Sequence, residues 1–182
     1  MQTEFVFAGF GGQGVMFAGQ LLAYAAMDAG LNVTWIPSYG PEMRGGTANC
    51  TVVISDKVIG APVCSHPSVV LAFNLPSFDK YEPLVKAGGL LVWNSSIVEH
   101  VSARTDIDLR PIPASGIADL LGSLKTMNLV MLGAALGARP VLPFEAVEQA
   151  LREHLPARRQ DLLQINLKSL YAGAEAVQAA LS

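Results

Sequence analysis

Six residues near the amino terminus, Gly9-Phe10-Gly11-Gly12-Gln13-Gly14, satisfy the spacing G-x-G-x-x-G between an apolar run and a helical pattern. The chemistry of that pattern is anion binding: glycines turn the chain tightly, and backbone N–H groups at the start of the next helix face negative charge. A dinucleotide finger of this kind also needs an acid about 20 residues further on, to hold the ribose hydroxyls. The corresponding stretch reads Val33-Thr34-Trp35-Ile36-Pro37, with no carboxylate, and Glu42 lies beyond it in a loop. No Lys-Ser or Lys-Thr follows the glycines, so the pattern is not a P-loop. Three readings stay open for Gly11, Gly12, Gln13 and Gly14: amides for another phosphate or anion, a place where a partner chain approaches closely, or a plain strand-to-helix turn.

A second loop, SYGPEMRGG at residues 38–46, sets Ser38, Tyr39, Glu42, Arg44 and Gly45 among glycines and beside a proline. Arg44 offers a planar fork for phosphate or carboxylate, and Glu42 can hold that fork or pair with a partner's cation. A solvated turn with an incidental ion pair is the plainer alternative. Other chemistry finds no support. Cys50 and Cys64 are too few for a four-thiolate cluster and too far apart for a disulfide framework, which favours reduced, intracellular thiols. His66, His100 and His154 have no metal-ligand spacing, so no metal site is expected. Ser38 and Ser95 have no histidine placed to activate them, and no catalytic residue is assigned. Cys50 reads as a small core residue, Met16, Met27, Met43, Met127 and Met131 as packing residues, and Arg158-Arg159 as a solvated helix start.

The elements that position these groups follow from periodicity. Residues 4–8 are a short buried strand and 15–29 a helix ending at Gly30. Residues 31–36 predict a second strand, 37–46 a loop, and 47–54 a strand whose turn at Ser55-Asp56-Lys57 lets Val58 and Ile59 pair back as a hairpin. Further strands are expected at 68–73, 89–94 and 109–113, with a helix at 76–86 capped by Asn74 or Ser77. Four helices follow, at 117–124, 127–136, 144–154 and 161–181. Strands alternating with helices specify an α/β fold, a three-layer α/β/α sandwich on a mostly parallel, mixed sheet, with residues 1–182 as one domain. Both loops would then leave parallel strands at the same carboxyl edge, where ligands bind in such sheets.

Of the 182 residues, 51% are hydrophobic and 15% charged, against about 25% charged in an average soluble domain. That shortage points to an exterior covered in part by other chains. The net charge of −3, with no basic cluster beyond Arg158-Arg159, leaves no footprint for nucleic acid. No charged residue occurs between Glu4 and Asp28, yet the glycines in that stretch are unsuited to the middle of a membrane helix, and the start lacks a basic signal-peptide region. A cytoplasmic protein with no membrane association is expected.

The strand-GxGGQG and strand-SYGPExRGG pair together resembles the gamma subunit of the 2-oxoacid:ferredoxin oxidoreductases. ANCTVVIS at 48–55, PSFDKY at 76–81, GGLLVWNS at 88–95, NLVMLGA at 128–134 and the helix through Asn166 carry the likeness along the chain. The resemblance implies the fold of the gamma domain of pyruvate:ferredoxin oxidoreductase. It also implies oxidative decarboxylation of a 2-oxoacid with coenzyme A to acyl-CoA, carbon dioxide and reduced ferredoxin. Thiamine pyrophosphate, Mg2+ and iron–sulfur clusters would reside in alpha, beta and delta-type partner subunits, since this chain has neither the cysteines nor a GDG-to-Asn diphosphate signature. Coenzyme A is anionic, so Gly11, Gly12, Gln13, Gly14, Ser38, Tyr39, Glu42, Arg44 and Gly45 are the candidate binding residues. A stand-alone nucleotide-binding protein and a purely structural assembly subunit are the alternatives, and a homodimer is conceivable for the isolated chain. The 2-oxoacid is not legible, with a weak lean to 2-oxoglutarate or branched-chain acids.

Overall fold

One six-stranded sheet organises the molecule, and the computed structural model describes residues 1–39 and 47–179. The strands are β1 (Gln2–Phe10), β2 (Asn32–Tyr39), β3 (Thr47–Ser55), β4 (Val69–Ala72), β5 (Leu90–Asn94) and β6 (Asp108–Ile112), in spatial order β2-β3-β1-β4-β5-β6. The pairs β1·β4, β4·β5 and β5·β6 are parallel, while β3 is antiparallel to both β1 and β2. The helices are α1 (Val15–Asp28), α2 (Leu75–Tyr81), α3 (Ala114–Leu120), α4 (Met127–Ala138), α5 (Phe144–His154) and α6 (Leu163–Ala179).

The apolar runs that mark the strands bury both faces. Phe5, Phe7, Cys50, Val52, Val69, Leu71, Leu90 and Val92 pack under α1 and α3 to α6. Their neighbours Val6, Ala8, Val70, Ala72, Leu91 and Trp93 pack on the opposite face against Phe78 of α2 and Val85, Val98 and Ile107. Each such side chain contributes about 1.5–3 kcal/mol when fully buried. This is the expected α/β/α sandwich on a mixed sheet, with the thicker helical layer on one side. Two of the expected boundaries are close: α5 matches residue for residue, and α2 is capped by Asn74, whose side chain accepts from the Ser77 amide at 2.9 Å.

The hairpin expected over 47–59 does not form. Both edges of β3 are occupied, by β1 and by β2, so Val58 and Ile59 find no open ladder, and Val58 stays 87% exposed. The sheet is mixed because β3 returns antiparallel between β2 and β1. The second strand also runs on through Pro37, Ser38 and Tyr39, residues expected in the loop. Pro37 is tolerated because β2 is an edge strand, where a missing N–H leaves no ladder bond broken on the outer side. Met27 is exposed, unlike the other described methionines of the core-packing group.

Candidate functional site at the glycine corner

The strand-to-helix corner is held shut by one side chain. Gln13 Oε1 accepts from the Phe10 amide at 2.7 Å and from Asn74 Nδ2 at 3.2 Å, while Gln13 Nε2 donates to the Phe73 carbonyl at 3.2 Å. Its own backbone N–H donates to the Phe10 carbonyl at 3.2 Å. Gln13 therefore ties the end of β1 to the end of β4 with its amide and its side chain. Gly12 and Gly14 adopt φ of +95° and +75°, which L side chains rarely take. A Cβ at Gly14 would also strike the Asn128 side chain, whose Nδ2 donates to the Gly14 carbonyl at 3.1 Å. From Gly14 the chain enters α1, whose first turn has no side-chain cap.

The strands that lead into the two loops end at one rim. Phe10 pairs with Thr47, and Tyr39 with Ala48, so β1 and β2 both end where β3 begins. Ser38 is exposed on β2, opposite Asn49. Glu42, Arg44 and Gly45 lie outside the described residues. Gly11 is exposed at the tip of the corner.

A cleft of about 860 Å3 opens beside the corner, lined by Gly12, Gly14 and Phe17 on one side and by the starts of α4 and α6 on the other. That size falls in the range of about 300–1,000 Å3 usual for small-molecule sites. Lys125 and Arg159 line it, and neither has a carboxylate partner among the described residues. Thr126, Asn128 and Asn166 supply neutral polar groups. The sequence reading missed these residues. Arg159 was taken for a solvated helix start, and it is exposed as expected, but on the wall of a cleft. Asn128 and Asn166 carried a signal: polar amides within the apolar runs TMNLVMLG and LLQINL need a partner or a ligand when buried.

Other chemistry-bearing groups are accounted for by packing. Cys50 is buried, its Sγ lies 3.7 Å from the Val15 carbonyl, and burial pushes the thiol up to about 12. It is a core residue, as expected. Asp28, Glu153 and His154 come together between α1 and α5, with donor atoms within 4.8 Å of one another. The sequence spacing did not show this juxtaposition. His154 Nε2 lies 2.8 Å from Asp28 Oδ2, and its ring stacks on Tyr24 with centroids 4.1 Å apart. No helix among the described residues is long and apolar enough to cross a membrane.

The mixed six-stranded sheet with helices on both faces is an α/β fold whose glycine corner opens on a polar cleft. The chain belongs to the pyruvate ferredoxin/flavodoxin oxidoreductase family, whose model matches residues 4–176. The ketoisovalerate oxidoreductase subunit VorA of Methanothermobacter marburgensis is 39% identical over 170 residues, which are 92% of this chain and 35% of VorA. The chain thus spans about a third of the length of that relative. The 2-oxoglutarate synthase subunit KorC of the same organism is 34% identical over 184 residues, covering 97% of both chains. Among solved structures, the gamma subunit of keto/oxoacid ferredoxin oxidoreductase from Geobacter sulfurreducens superposes with a TM-score of 0.84 at 30% identity, over 97% of this chain and 99% of that one.

Proposed function

We propose that this chain is the gamma subunit of a thiamine-dependent 2-oxoacid:ferredoxin oxidoreductase and forms part of its coenzyme A route. The overall reaction joins a 2-oxoacid to coenzyme A with loss of carbon dioxide, and passes two electrons to ferredoxin. The observation that carries the reading is the near end-to-end likeness to a gamma subunit of this class. The redox and decarboxylating groups belong to partner subunits. Two cysteines, one of them deep in the core, do not fit a four-thiolate cluster. The low content of charged residues supports a surface shared with those partners. Likeness to subunits named for ketoisovalerate and 2-oxoglutarate supports branched-chain acids and 2-oxoglutarate as the substrates to assay first.

The reading of Gln13 changes. Its side chain and amide are committed to the corner, so Gly11, Gly12 and Gly14 with Ser38, Tyr39, Glu42, Arg44 and Gly45 remain the proposed ligand-facing group. Arg44 is the cation of that group, suited to phosphate. In the purified complex, Arg44→Ala is expected to raise the KM for coenzyme A about tenfold or more, as loss of a charge-assisted pair would. An unchanged KM with unchanged assembly overturns the assignment. A stand-alone nucleotide-binding protein would instead purify alone and colourless, without the brown absorbance of clusters held by partners.

A further inference from the structure

Two helix ends away from the glycine corner carry a set of metal-type donors. Asp28 closes α1, and Glu153 and His154 close α5. One atom from each, two carboxylate oxygens and an imidazole nitrogen, lie within 4.8 Å of one another. Donors held at about 2.0–2.2 Å by one tetrahedral ion stand roughly 3.3–3.5 Å apart, so small side-chain rotations would bring these three onto it. Two carboxylates this close repel unless a cation offsets them. Neither pairs with a lysine or arginine among the described residues, and Arg152, next to Glu153 in the chain, is bonded to Glu148 instead. The carbonyl ends of both helices add negative potential at the same place. The donors are also oriented. The His154 ring stacks on Tyr24 at 10° between planes, Tyr24 Oη accepts from Gln20 Nε2 at 3.1 Å, and Gln149 donates to the Glu153 carboxylate. Outer partners of this kind fix the direction of metal ligands. Side-chain exposures of 34% at Asp28 and 28% at His154 leave the donors open to solvent.

We propose that Asp28, Glu153 and His154 bind one divalent cation of the zinc class, with water completing its coordination. The carboxylates supply charge, and the imidazole selects against magnesium and calcium, which take oxygen donors throughout. Asp28 with His154 alone would be an ordinary hydrogen-bonded pair. Glu153, a third donor whose charge nothing offsets, is what points to a cation. The ion would staple the end of α1 to the end of α5, and so fix the far end of the helix that begins at the glycine corner. Histidine spacing in the sequence gave no sign of the site, because Asp28 and His154 are 126 positions apart. The site stands apart from the corner and from coenzyme A.

Calorimetry with Zn2+ on the full chain, stripped with EDTA and dialysed, tests this. The wild type is expected to take up a single equivalent of Zn2+, to bind Mg2+ about tenfold or more weakly, and to melt at a temperature that rises with Zn2+ concentration. His154→Phe keeps an aromatic ring on Tyr24 and removes the ligating nitrogen. That variant, Glu153→Gln and Asp28→Asn are each expected to weaken Zn2+ by about tenfold or more. Melting curves without metal check that each variant is folded. Cys64 and His66 offer a rival thiol and imidazole near the surface, and Cys64→Ser with His66→Ala is expected to leave the Zn2+ affinity unchanged. Absence of Zn2+ uptake by the wild type overturns the proposal, as does binding within about twofold of wild type in His154→Phe. Uptake lost in the Cys64 and His66 double variant but kept in Glu153→Gln places the ion elsewhere and overturns it too.

Discussion

Gln13 sits in the most suggestive motif of the chain and uses its side chain to hold the fold together. Three hydrogen bonds join it to Phe10, Phe73 and Asn74, all within 3.2 Å. Truncation would leave the Phe10 amide and the Phe73 carbonyl without that partner in a half-buried corner. Gln13→Ala is therefore expected to lower the unfolding free energy by about 2 kcal/mol, read from urea denaturation, because unsatisfied buried groups cost about 1–3 kcal/mol. A loss under about 0.5 kcal/mol, the range of ordinary surface changes, contradicts the locking role. The motif was readable as glycines that make a corner. That its glutamine points inward was not, because its partners Phe73 and Asn74 lie 60 and 61 positions away.

At the scale of elements, α4 and α6 pack with almost no spacing between backbones. A Cβ on Gly133 would overlap the Leu170 carbonyl oxygen, and one on Gly173 would overlap the Val130 carbonyl oxygen. Both helices contribute lining residues to the cleft near their starts, Asn128 and Asn166. Gly133→Ala is expected to cost about 2 kcal/mol or more in thermal or urea unfolding, since overpacking against backbone costs about 1–3 kcal/mol and has no flexible neighbour to yield. Gly60→Ala, where nothing lies within 4 Å, is the control and should change stability by under about 0.5 kcal/mol. Equal effects at the two positions would show that the close approach of the helices is not what Gly133 provides.

The whole molecule is fastened at the rim opposite the cleft by Glu4 of β1. Its carboxylate accepts from the Ser68 hydroxyl and pairs with Lys86 at 3.5 Å, linking β1 to the chain on either side of β4 and α2. Burial pushes this carboxyl up, but the hydrogen bonds from Ser68 and Gln2 and the Lys86 charge outweigh it and hold the group below its ordinary 4.5. A carboxyl with a lowered folded-state pKa stabilises the protein above its unfolded pKa and loses that contribution as pH falls through the folded value. The stability advantage of the wild type over Glu4→Gln should therefore be constant above about pH 5.5 and shrink progressively below pH 4.5, measured by denaturation at fixed ionic strength. A difference that is flat to pH 3 would show that the carboxylate's charge is not what Glu4 contributes.

Composition and period alone determined the α/β class, the glycine corner and most elements to within a few residues, because those depend on local turn chemistry and on which residues tolerate burial; the family came from the resemblance of the two loop motifs. Parallel strands also fixed in advance that the corners after β1 and β2 share a rim. The tertiary structure decided the rest. It placed β3 between β2 and β1 where a local hairpin was expected, since strand pairing is set by which edges are open and not by the nearest turn. It turned Gln13 into the core of the corner, and it brought Lys125, Arg159 and Asn166 beside glycines more than 100 residues earlier. Side chains so far apart along the chain converge only through packing, and no spacing rule in the sequence records it.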